Sequence, residues 1–148
     1  LILFYSMALT TIISGIVGQE IVTETSKSIF HSLGNLLSHC HPTINNLLTD
    51  LDIPAQIKLT RTIITDIQIL NIHTESIKIS LEQMDDIVKR IEKQVEIIKR
   101  GIDYHKSLWF SRWRTAQYET EILELKKLKI IMNLRLQHLL HILQISKK

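Results

Sequence analysis

The clearest pattern in the chain is a run of apolar residues at helical spacing in its second half. Eight positions follow alternating steps of four and three residues: Ile77, Leu81, Met84, Val88, Ile91, Val95, Ile98 and Ile102. Such steps place the apolar side chains on one seam of a helix, the heptad pattern of a coiled coil. Beside the seam, acids precede bases by four residues, the favourable order on a helix surface: Asp85–Lys89, Asp86–Arg90 and Glu96–Arg100. The pattern predicts one long helix over residues 75–114.

A second apolar stripe follows and predicts a last helix over residues 117–145. Its seam is Ile122, Leu125, Met132, Leu136, Leu139 and Leu143, with Lys129 as the polar exception. Four further apolar positions widen the stripe: Leu128, Ile131, Leu140 and Ile142. A stripe this wide predicts contacts with more than one neighbouring helix. The last two helices are therefore expected to pair as an antiparallel hairpin.

The first half of the chain predicts helices over residues 3–32 and 53–71, with a short helix over 43–49. Gly34-Asn35 is expected to break the first helix, and Pro42 disfavours helical geometry at the residue before it. Asp52 suits an N-cap before Pro54, and Thr74 suits the N-cap of the next helix. The fold class is all-α: residues 1–148 form a single domain, a bundle of about four long helices with a heptad-patterned hairpin in its C-terminal half.

Net charge and cysteine content say little about the partner and the cellular compartment. The net charge of the 148 residues is +3. Three bases against five acids give −2 for residues 1–74, and fifteen bases against ten acids give +5 for residues 75–148. A balance this mild does not favour nucleic acid as a partner, because a dedicated binder carries a strong basic stripe. Cys40 is the single cysteine and fits a reducing intracellular compartment.

The first nineteen residues carry no charge, and their length is close to what a bilayer requires. Serines, threonines and glycines dilute the run, no basic residue precedes it, and a start at Met7 would shorten it. We favour a buried core helix here. The alternative is a membrane-contacting helix through Leu1, Ile2, Leu3, Phe4, Tyr5, Ile12, Ile13, Ile16 and Val17.

No catalytic, cofactor-binding or metal site is predicted, and the chain is not expected to be an enzyme. His39-Cys40-His41 is the densest group of metal-type ligands. A zinc site needs three or four converging ligands, which here would require a distant residue such as His31. The favoured interpretation is an inert connecting loop, with structural zinc as its alternative.

One segment concentrates aromatic and basic side chains, and it carries the partner-binding hypothesis. Its residues are Tyr104, Trp109, Phe110, Arg112, Trp113 and Arg114. Three interpretations remain open. The rings plug the corner between the last two helices, form a hot spot for a protein partner, or contact a membrane interface or nucleic acid.

The arrangement His105-Lys106, Trp109-Phe110 and Trp113-Arg114 before a lysine- and leucine-rich helix resembles short helical proteins of large nucleocytoplasmic DNA viruses. The stretch Leu51-Asp52-Ile53 is similar to their upstream part. This resemblance implies a virion component, such as a small capsid-associated or scaffolding protein. In architecture alone, an uncharged first helix before amphipathic helices resembles the membrane-permeabilising four-helix domains of cell-death proteins.

Taken together, the sequence predicts a structural or assembly protein located inside the cell or in a virion. Its expected partners are other proteins of an assembly, or a second copy bound through the helix over 75–114. The first alternative is a membrane-active bundle using residues 1–19. The second is a small helical regulator that contacts nucleic acid.

Overall fold

All elements in the described part of the chain are helices. The computed structural model describes residues 2–39, 41–106 and 119–147, and the side chains of residues 17–39, 41–104 and 119–147. The helices are α1 (Ile2–Leu37), α2 (Pro42–Asp50), α3 (Ile53–Ile69), α4 (Glu75–Lys106) and α5 (Glu119–Ser146). The all-α fold class is therefore confirmed for these residues.

Helix α1 continues through Gly34-Asn35, where the sequence predicts a break. Leu33 and Leu36 are fully buried on either side of this pair. Asn35 Nδ2 also donates a hydrogen bond of 2.7 Å to Glu92 Oε1 of α4. The prediction of an end near residue 32 is wrong because these tertiary contacts outweigh the low helix propensity of glycine and asparagine.

The junction of α2 and α3 explains why Asp52 does not cap as predicted. Asp52 precedes α3, but its φ of 58° is left-handed and its side chain makes no capping hydrogen bond. Its backbone N–H donates to the carbonyl of Thr49 at 3.0 Å, which closes the end of α2. Asp52 therefore ends α2 in a left-handed conformation. An N-cap side chain needs an extended backbone, so Asp52 does not also cap α3.

The turn between α3 and α4 uses a left-handed asparagine and a threonine cap. Asn71, at φ 52°, donates its N–H to the carbonyl of Gln68, and Ile72 donates to that of Ile67. This is the Schellman pattern of a helix end. The predicted cap on the next helix is confirmed, since the N–H of Ile77 donates to Thr74 Oγ1 at 3.4 Å.

Helices α1 and α4 run in the same direction with a constant register. Ser28 Oγ donates to Asp85 Oδ1 at 2.8 Å, and Asn35 bonds Glu92 one heptad later. Both pairs are 57 residues apart in the chain. These two hydrogen bonds, one heptad apart, fix the register in which α1 packs against α4.

Helix α5 runs against α4. Gln94 Nε2 donates to the carbonyl of Glu121 at 3.0 Å, whereas Asp86, earlier in α4, lies 3.0 Å from Arg135, later in α5. Helix α3 likewise runs against α1, because Arg61 lies beside Gly34 and Ile67 shares a small cavity with Val22. Helix α4 thus lies between α1 and α5.

The predicted heptad seam of α4 lies in the core of the chain itself. From Ile77 to Ile98 its residues are exposed by 1% or less, and Ile102 is half-buried against the same core. The three predicted ion pairs beside the seam form, with N···O distances of 2.7, 3.8 and 3.3 Å. Because α1 and α5 pack against α4, the seam from Ile77 to Ile98 is part of the core of the chain.

Candidate interaction surface

Helix α5 buries one face against α4 and α3. The buried side chains are exposed by 3% or less and follow steps of three and four residues: Leu125, Leu128, Met132, Leu136, Leu139 and Leu143. They include most of the predicted seam together with Leu128, one of the positions that widen it. Because α5 contacts two helices, the prediction that its wide stripe meets more than one neighbour is confirmed.

The opposite face of α5 faces solvent and carries a line of aliphatic side chains among polar ones. Four aliphatic side chains are 54–59% exposed: Leu123, Ile130, Leu134 and Ile145. Their steps of seven, four and eleven residues are close to two, one and three helical turns, so they form one line, about 180° from the buried face at 3.6 residues per turn. We call these four residues the outer stripe.

The polar residues around the outer stripe are arranged unevenly. Lys126 and Lys127 lie near its start, and the exposed imidazoles of His138 and His141 lie nearer its end. The acids of the described residues beside this face are Glu119, in the first turn, and the partly exposed Glu124 on its flank. The stripe is therefore a solvent-facing line of four aliphatic residues, interrupted by Lys127 in its first half and by His138 and His141 in its second half.

The outer stripe is carried on a helix whose position is fixed by polar bonds. Arg135 Nη1 donates to the carbonyl of Gln83 at 2.6 Å and to Asp86 Oδ2 at 3.0 Å. Gln94 holds the first turns of α5 through Glu121. Arg135 follows Leu134 directly, so the bonds that fix α5 on α4 also set the direction in which Leu134 points.

Other exposed apolar side chains do not form a comparable line. Ile79 and Ile97 share one face of α4, five turns apart, and charged residues such as Asp86 and Arg90 lie on the same face between them. Ile69 and Leu70 are exposed together at the end of α3. Scattered exposed aliphatic residues are normal on soluble proteins, whereas four aliphatic residues in one line along a single helix indicate an interaction surface, even with Lys127, His138 and His141 between them.

The predicted partner-binding segment lies mostly outside the described residues. Of its six residues, only Tyr104 is described, and its side chain is 65% exposed in the last turns of α4. The remaining five are Trp109, Phe110, Arg112, Trp113 and Arg114. The hot-spot interpretation and its two alternatives thus stay predictions.

Most of the predicted membrane-contact residues also lie outside the described side chains. Val17 is the exception and is 48% exposed. Gly18 follows and packs beside His73, whose carbonyl oxygen would lie 3.3 Å from a Cβ at residue 18. Among the residues for which the structure gives side chains, no helix is both long and apolar enough to cross a membrane.

The residues of the predicted inert loop can be placed only in part, because Cys40 is not described. His41 precedes α2 with an extended backbone, as expected for a residue before proline. Its Nε2 lies 3.7 Å from Asp103 Oδ1, which links the start of α2 to the last turns of α4. Within the described residues, no three His, Cys, Asp or Glu side chains are grouped as metal ligands would be.

The sequence predictions missed the outer stripe, although its signal is present. The predicted seam of α5 and the four positions that widen it include none of Leu123, Ile130, Leu134 and Ile145. A helix with aliphatic residues on two opposite faces can bury only one of them against a single layer of neighbours. Assigning both faces at 3.6 residues per turn would have separated the stripe from the core.

Comparison with known proteins gives one viral relative. Over 68 residues the chain is 32% identical to an uncharacterised protein of Acanthamoeba polyphaga mimivirus. The match covers 46% of this chain and 33% of that protein, so the chain corresponds to about a third of its relative. No protein-family model and no solved structure matches the chain. The similarity supports a viral link.

Proposed function

We propose that the protein is a non-enzymatic structural component of a large DNA virus, of the capsid-associated or scaffolding kind, and that it binds another protein through the outer stripe. The observation that carries this proposal is the stripe itself. Four aliphatic side chains are more than half exposed along a helix whose opposite face is core. When a partner covers exposed apolar side chains of this extent, their burial favours association.

The proposed bundle is the rigid support of that surface. Four long helices run alternately up and down, with α4 and α5 as an antiparallel hairpin joined through residues 107–118. The polar bonds of Ser28, Asn35, Gln94 and Arg135 fix the register of α1 and α5 on α4. A rigid helix loses little conformational entropy when it is bound, which favours association.

The relative supports the viral part of the proposal. The matched protein belongs to a virus, and its description assigns no activity. The aromatic and basic residues from Tyr104 to Arg114 fit a second contact with a partner, because tryptophan, tyrosine and arginine dominate interface energetics. Tyr104, the described member, is exposed, as a contact residue must be before binding.

The test is whether the chain is part of the virus particle. We expect quantitative mass spectrometry of purified particles to find the native chain at many copies per particle. Leu134→Glu should be depleted from particles at equal cellular abundance, because a carboxylate on the stripe would lose its solvation in the contact. Ile79→Glu, an equivalent change on exposed α4, should be incorporated like the native chain. Absence of the native chain from particles would refute the proposal.

A second candidate is membrane contact through the start of α1. Gly18 packs beside His73, just before the start of α4, and α1 begins at Ile2, four turns before Gly18. These turns belong to the uncharged run, so they suit an apolar surface such as a bilayer. Flotation with anionic vesicles tests this. Binding by the native chain that is lost in Ile12→Asp/Ile16→Asp would favour the second candidate over the first, and absence of binding would reject it.

A further inference from the structure

The outer stripe has the positions that a helix needs to pair with a second copy of itself. Taking Leu134 as the centre, Ile130 lies four residues before it, and Leu123 and Ile145 lie eleven residues before and after it. A twofold axis through Leu134 therefore places Leu123 of each copy opposite Ile145 of the other, the two copies of Leu134 opposite each other, and Ile130 opposite the imidazole of His138. A contact between identical surfaces requires this self-complementarity.

The charges beside the stripe decide the direction of the pairing. A parallel pair would bring Lys126 and Lys127 of the two copies together, together with both copies of Glu119, and like charges in contact oppose association. An antiparallel pair about Leu134 instead brings Lys127 opposite His141 and the turn of Glu119 opposite the turn of Lys147. The two lysine pairs then lie about 21 Å apart along the axis, beyond the screening length of physiological salt.

The polar flank of the stripe fits the same arrangement. Asn133, one position before Leu134, and Gln137, three positions after it, are exposed on the same side of Leu134. In the antiparallel pair, Asn133 of each copy lies beside Gln137 of the other, and two amides can each donate and accept. Lys126 then lies near Gln144 of the second copy. The flanking amides thus meet compatible groups, and within the line Ile130 lies against the ring of His138.

We propose that the outer stripe of α5 binds the outer stripe of a second copy of this chain, antiparallel and with its twofold axis at Leu134. This rests on the proposed function and names the partner of its interaction surface. The contact would be about 33 Å long and one helix, about 10 Å, wide. That footprint is well below the ~800 Å² per partner of a standard interface, so the dimer is of the weak, reversible class.

Sedimentation equilibrium of the full native chain, from micromolar to several hundred micromolar, tests the self-contact. We expect a monomer–dimer equilibrium based on the 17.2 kDa chain. Leu134→Glu should weaken it by about 100-fold or more, because the change occurs twice at the centre of the contact. Ile79→Glu should leave it unchanged. Circular dichroism shows whether both variants stay folded, as exposed substitutions allow.

Disulfide trapping tests the direction. In a Cys40→Ser background, Leu123→Cys alone and Ile145→Cys alone should form little dimer on oxidation. An equal mixture of the two should form the mixed dimer. Cross-linking of Leu123→Cys with itself would indicate a parallel pair and overturn the proposed geometry.

The two proposals fail separately. A native chain that stays monomeric at several hundred micromolar, or a dimer unaffected by Leu134→Glu, would overturn the self-contact. Particle incorporation that still depends on Leu134 would then leave the assembly function standing with a different partner. A dimer that forms as described, in a chain absent from virus particles, would retain the self-contact and reject the viral assembly function.

Discussion

Arg135 joins α5 to α4 through a backbone carbonyl and a carboxylate, and its side chain is 26% exposed. Arg135→Met keeps much of the apolar stem but removes both bonds. We expect the free energy of unfolding to fall by about 1 kcal/mol, the net value of a partly screened hydrogen-bonded ion pair. Urea denaturation measures this. Arg100→Met is the control, because Arg100 is 78% exposed and pairs with Glu96 of its own helix. An equal loss of unfolding free energy in both variants would mean that the bonds from Arg135 to α4 add no stability of their own.

Two glycines of α1 offer an opposed pair of substitutions. A Cβ at Gly34 would lie 3.8 Å from Nη2 of Arg61, an ordinary contact with a movable side chain. Gly34→Ala should therefore stabilise the protein by about 0.5–1 kcal/mol through helix propensity. At Gly18 the Cβ would lie 3.3 Å from the carbonyl oxygen of His73. Gly18→Ala should gain clearly less, or lose stability, in thermal unfolding. A larger gain at Gly18 than at Gly34 would contradict this packing.

Caps and breaks show which single-residue signals can be read from sequence. Thr74 caps α4 as predicted, because Thr74 only begins that helix and does not also end another. Asp52 does not, because the same residue must end α2, and the left-handed backbone this requires removes the capping geometry. Gly34 fails as a break because its neighbours are anchored in the core. Local signals fail where one residue serves two elements or where distant contacts override propensity.

At the scale of elements, α4 is predicted well because its pattern is both local and complete. Its apolar positions and three ion pairs are set by spacing alone, and in the structure the apolar positions from Ile77 to Ile98 are buried and the three ion pairs form. Which face of α5 is buried is harder to predict, because aliphatic residues on both faces obscure the helical period. Which face meets the core is decided by α4 and α3, and a single sequence does not encode that choice locally.

The same packing predicts an order of local stability among the helices. Helix α4 lies between α1 and α5 with its seam buried from Ile77 to Ile98, whereas α2 has nine residues, of which Ile44 and Leu48 are buried. Hydrogen exchange followed by mass spectrometry should find the slowest amides in the middle of α4 and much faster ones in α2. Local opening costs least where few apolar contacts must be broken. Slower exchange in α2 than in α4 would contradict the central position of α4.

At the scale of the whole molecule, self-association through the outer stripe couples stability to concentration. The folded chain, and not the unfolded one, carries the assembled stripe, so dimerisation should raise the melting temperature by mass action. Above the dissociation constant, each tenfold rise in concentration should add about 2 °C for a chain of this length. Differential scanning calorimetry over two decades of concentration measures this slope for the native chain.

The Leu134→Glu variant separates this coupling from ordinary effects of substitution. Leu134 is 59% exposed in the single chain, so the variant should melt at about the temperature of the native protein at low concentration. Its melting temperature should not rise with concentration, while that of Ile79→Glu should rise like the native value. A native melting temperature independent of concentration would mean that α5 does not meet a second copy. The apolar line along α5 would then need a different partner to cover it.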